Sequence, residues 1–136
     1  MSAVQNLSYS VIQIVHNFGA AATVGGSIIA TQLRDDATRR WLAHLVLFGW
    51  LTQVASGAAF GMVTYHFYRH LPDISGIALD ALGIKMVCAT LGVLLLTTYF
   101  WQNMRWKEAE KSKAWMASAA LAMTAFSAAG FLRWFS

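Results

Sequence analysis

The chain has 136 residues, 57% of them hydrophobic and only 12% charged, with a formal net charge of +4 and a mean hydropathy of +0.49. Soluble domains carry about a quarter charged residues, so this balance excludes an ordinary soluble domain and points to one integral membrane unit spanning residues 1–136. The excess positive charge sits in short loops between apolar runs, which is how membrane proteins set their orientation, and this argues against a nucleic-acid partner.

Four apolar runs follow one another, each close to the length that crosses a bilayer. The first covers about residues 9–31. No Lys or Arg precedes Arg34, so the run lacks the basic start of a signal peptide and is expected to be a retained helix. At helical spacing His16 shares a face with Gly19, Ala20, Thr23, Gly26 and Ser27. Side chains that small either admit a neighbouring helix or leave room for something flat and bulky.

The second run covers about residues 41–68 and places Gly49, Gln53, Gly57 and Gly61 on one face. Gly57 and Gly61 form a Gly-xxx-Gly pair, and Gln53 is expected to hydrogen-bond between helices. Pro72, the only proline, marks a turn. The third run, about 77–101, carries Ala81, Lys85, Ala89 and Gly92, with Cys88 adjacent as a small core thiol. The fourth, about 115–134, is rich in Ala, with Ser127 and Gly130 near its end. Irregular backbone cannot face lipid, so each run should be helical. The expected fold is all-α: an antiparallel four-helix bundle with short connections.

Basic residues predict the orientation. Loops 32–40 and 102–114 hold Arg34, Arg39, Arg40, Arg105, Lys107, Lys111 and Lys113 and are expected in the cytoplasm, with both termini outside. Trp41, Trp101, Trp106 and Trp115 fall at that cytoplasmic boundary, and Tyr9, Tyr65, Tyr68 and Trp134 at the other. The expected location is a bacterial inner membrane with periplasmic termini.

Ionisable groups inside a membrane are costly and call for a reason. With this topology His16 and Lys85 lie at similar depth, while His44 falls near the opposite boundary. Three roles suit His16: a structural imidazole bonded across helices, an axial ligand of haem, or a copper ligand. The haem role would use the space beside Gly19, Ala20 and Thr23. Met62, Met86 and Met123 stand apart and form no thioether ladder for copper. Lys85, Arg69 and Arg133 could each pair with a haem propionate; Lys85 could instead exchange protons or be a second iron ligand as a neutral amine, and His66 and His70 are further candidate metal ligands. Lys85 could also snorkel outward or pair with Asp80. No His-Glu-x-x-His, phosphate-binding glycine loop or nucleophile elbow is present.

His16-x-x-Gly19-Ala20 leading to Val24-Gly25-Gly26, with Ser56-Gly57 and Leu82-Gly83-Ile84-Lys85, resembles the CopD-like copper-resistance membrane family and the related HemJ-type protoporphyrinogen oxidases. The resemblance implies a four-helix unit with His16 and Lys85 as its functional pair. In the HemJ-type group these positions imply haem b, and in the CopD-like group copper handling. The chain departs from the HemJ pattern at Ser27-Ile28-Ile29-Ala30-Thr31-Gln32, where an aromatic-proline-arginine segment is expected. The resulting expectation is a haem b protein in electron transfer or membrane redox chemistry, with a lipid-soluble donor or quinone as partner. Copper transport, and a structural subunit of a larger complex or homo-oligomer, are the alternatives.

Overall fold

A computed structural model describes residues 2–135, and they form four α-helices joined by short connections: α1 (Ala3–Gln32), α2 (Asp36–Tyr68), α3 (Ile77–Gln102) and α4 (Glu108–Phe135). No strand occurs among the described residues. At 1.5 Å per residue the helices run about 39–50 Å, more than the ~30 Å of bilayer hydrocarbon. All four are long and apolar enough to span a membrane, and the chain is a multi-pass membrane protein.

The helices overrun the apolar stretches because polar residues cap them. The Ser2 hydroxyl accepts from the Gln5 backbone N–H at 3.2 Å, starting α1 well before residue 9. Asp35 accepts from the Thr38 backbone N–H at 2.8 Å, starting α2 five residues before Trp41. In α4 the Glu110 carboxylate accepts from the Lys107 backbone N–H at 2.8 Å, and the helix begins at Glu108 rather than near Trp115. Each cap satisfies an N–H that a helix start would otherwise leave unpaired.

Neighbours in sequence are neighbours in space: α1 packs on α2 and α4, and α3 packs on α2 and α4, leaving α1 and α3 on a diagonal. The α1–α2 crossing is built on glycine. A Cβ at Gly49 would lie 2.9 Å from the Gly19 carbonyl oxygen and from Thr23 Cγ2, so the two backbones nearly touch. Gly92 of α3 lies under the Trp50 indole, leaving no space for even a methyl group.

Packing differs sharply along the bundle axis. The half holding the α1–α2 and α3–α4 connections, here the loop end, buries Val46, Trp50, Leu96, Tyr99 and Trp115 almost completely. Trp115, expected at the membrane boundary, instead packs its ring 5.3 Å from Tyr99 in this core, because α4 starts earlier and carries it inward. Trp41 and Trp101 are exposed. Polar stitches close the loop end. Arg39 is fully buried, donating to Glu108 at 2.7 Å, to the Ala30 carbonyl and to Ser112, both at 3.3 Å. Lys111 pairs with both Asp36 oxygens at 2.9 Å.

The terminal end, with both chain ends and the α2–α3 turn, is looser. The expected Gly57–Gly61 contact does not form: a Cβ at either position would meet nothing within 4 Å. Both share the α3-facing side of α2 with Trp50, by helical spacing. The seam between α2 and α3 is therefore tight at Trp50 and Gly92 and opens two turns further out.

Candidate functional site

His16, Ser56 and Lys85 come from three helices and meet where the packed half gives way to the open half. Three contacts fix the level. Ser27 bonds Ser118 at 2.8 Å, so eleven residues toward the terminal end Ala129 of α4 stands beside His16. Tyr99 lies on Trp115, and fourteen residues further out the same level holds Lys85 and Ala129. Trp50 lies on Gly92, and seven residues out Gly57 stands opposite Lys85. The depth match between His16 and Lys85 expected from hydropathy is what the structure shows, with Lys85 reaching across the diagonal.

Hydrogen bonding assigns the imidazole's tautomer. Ser56 donates its single O–H to the Thr52 carbonyl at 2.6 Å, so it accepts from His16 Nδ1–H, also at 2.6 Å. That leaves Nε2 as a lone-pair donor atom, which accepts from Lys85 Nζ at 2.7 Å. Gln53 donates to the His16 carbonyl, as expected of an interhelical bonder. Phe60 meets the imidazole edge-on at 6.1 Å and stacks with Tyr9, whose hydroxyl bonds Thr64 at 2.9 Å. Both His16 and Lys85 are half-buried.

The other candidate residues are placed elsewhere. Gly19 and Thr23 leave no room for a ring, because α2 occupies their face at Gly49 and Gln53; Ala20 beside them is half-buried. His66 and Arg69 lie ten and thirteen residues beyond Ser56, about 15 and 20 Å along the axis, and both are exposed. His70 is further out, its Nδ1 donating to the Leu71 carbonyl at 2.8 Å. None of these three joins the His16 site. Arg133 is exposed four residues beyond Ala129, about 6 Å outward of it. His44 lies twelve residues toward the loop end from Ser56, about 18 Å away, bonded to the Arg40 carbonyl.

Among the described residues no three His, Cys, Asp or Glu side chains converge. A haem brings its own four nitrogen donors and asks the protein for an imidazole; His16 is the imidazole at this level, with its Nε2 engaged by Lys85. The small face of α1 at Gly19 and Thr23 has no space for a flat ring, whereas a Cβ at Gly57 of α2 would meet nothing within 4 Å. Sequence reasoning missed Ser56 as the imidazole's partner; the signal available was its position in an antiparallel helix at the same depth.

No family model, curated protein or solved structure matches this chain.

Proposed function

We propose that the chain is a haem b-binding redox protein of the bacterial inner membrane, with His16 as axial ligand. It would serve electron transfer or the oxidation of a membrane-soluble donor of quinol type. The observation that carries this reading is the imidazole oriented by Ser56, with its Nε2 lone pair turned toward the bundle interior. Ligating histidines elsewhere are held in the same way, through a hydrogen bond at the other ring nitrogen. The His16 and Lys85 positions shared with CopD-like and HemJ-type patterns support the same pair. The basic loops support cytoplasmic placement of the loop end and periplasmic termini.

When bound, haem b supplies one-electron exchange at its iron. The protein's part is then specific. Ser56 keeps the ring in one tautomer and Gln53 anchors the backbone beneath it. Lys85 would yield Nε2 and keep its Nζ as a hydrogen-bond donor beside the site. The opened seam at Gly57 gives a lipid-soluble molecule sideways access, while the packed loop end excludes water. Arg133 is the nearest further cation for a carboxylate.

The absorption spectrum tests the proposal. Protein purified from haem-sufficient cells should be red, with a Soret band and reduced-minus-oxidised bands of b type. A colourless preparation overturns the reading. Copper in its metal analysis would then favour copper handling, and stability only alongside partner subunits would favour a structural role.

A further inference from the structure

Arg69, His66 and Tyr65 stand outside the His16 site, yet they converge on one groove of about 560 Å³ at the terminal end of α2. Its floor is apolar, formed by Gly61 and Met62, and Leu71 from the α2–α3 turn borders it. A Cβ at Gly61 would meet nothing within 4 Å, so the glycine keeps the floor deep. Arg69 ends α2 in the left-handed conformation (φ 62°), its N–H donating to the Tyr65 carbonyl at 2.9 Å. The backbone is thereby fixed where the helix leaves its apolar span, and the exposed Arg69 side chain starts from that point beside the groove. Among the described residues Arg69 forms no ion pair, either with Asp73 in the following turn or with Asp80 at the start of α3.

An apolar trough that ends in an uncompensated cation at the membrane boundary is complementary to a molecule with the reverse layout. Its chain must be apolar and its head anionic. We propose that this groove is a binding site for an anionic phospholipid of the phosphatidylglycerol type. The acyl chain lies along Gly61 and Met62, and the phosphate meets Arg69, with Tyr65 and His66 as hydrogen-bonding neighbours of the headgroup. The site is separate from the His16 pair and does not depend on the redox reading.

The test uses the full chain, purified in detergent, stripped of lipid and titrated with phosphatidylglycerol or phosphatidylcholine of matched acyl chains. Bound lipid is counted by native mass spectrometry. Phosphatidylglycerol should be retained about five-fold over phosphatidylcholine, the effect of one basic residue at an anionic headgroup. Arg69→Gln should bring the two lipids to parity, whereas Arg69→Lys keeps the preference. Gly61→Leu fills the floor and should lower retention of both. Lys113→Gln, at the opposite end of the bundle, should change nothing. Excess glycerol phosphate should fail to displace the lipid. Equal retention of both lipids by the unaltered protein overturns the proposal, as does a preference that survives Arg69→Gln. Displacement by glycerol phosphate alone would also overturn it, by showing an anion site without a chain site. Should Arg69→Gln fail to fold, Arg69→Lys and Gly61→Leu decide the matter in the same assay.

Discussion

A single serine governs what the His16 imidazole can do. With Ser56 accepting from Nδ1–H, Nε2 has no hydrogen of its own and serves either as an acceptor toward Lys85 or as a ligand. His16→Ala should abolish the Soret band and His44→Ala should leave it, as read from absorption of the purified variants. Loss of haem in the second variant alone would overturn the placement. Ser56→Ala should keep a coloured protein but weaken haem retention by about 10–100-fold, the usual cost of losing the partner that orients a ligating histidine. The His16–Lys85 encounter was legible in the sequence because hydropathy and strict alternation of helix direction fix depth. Ser56 was not read as its partner, since depth narrows the neighbours of a serine hydroxyl but does not say which of them it serves.

At the level of helices, glycine acts in two opposite ways that spacing alone does not distinguish. Gly19 and Gly49 let α1 and α2 touch, while Gly57 and Gly61, at equally good spacing, face open space. Gly49→Leu should therefore destabilise the bundle by about 1–3 kcal/mol through overpacking, and Gly57→Ala should be tolerated, as measured by denaturation in detergent. The whole four-helix arrangement could be read from apolar run length, but the helix ends could not, because they are set by caps in polar sequence. One of those caps is pH-sensitive. Hydrogen bonds from the Thr38 hydroxyl and backbone N–H hold the Asp35 carboxyl below its ordinary value of 3.8. A carboxyl depressed in the folded state adds stability above its unfolded value and loses it as pH falls through the folded one. Helicity at the start of α2 should thus decline on acidification below about pH 4, the ordinary range for Asp. Asp35→Asn, which can still cap, should remove that pH dependence in circular dichroism.

Across the whole molecule the two ends are held by different forces. Seven basic residues in the two loops suggested orientation alone, yet Arg39 and Lys111 also stitch α2 to α4 through Glu108 and Asp36. A one-dimensional charge count cannot reveal this, since the partners are about 70 residues apart. Arg39→Met should cost about 2 kcal/mol, because a charged hydrogen bond is lost and the Ala30 carbonyl loses its donor. Amide exchange should be slowest around Val46, Trp50 and Leu96 and fastest in the outer turns of α1 and α4. In mechanical terms the four helices are cantilevers rooted in one end of the bundle. The imidazole and the amine stand where the rooted length stops, so a change in bilayer thickness that splays the free lengths would part Lys85 from His16 before it disturbed anything in the core.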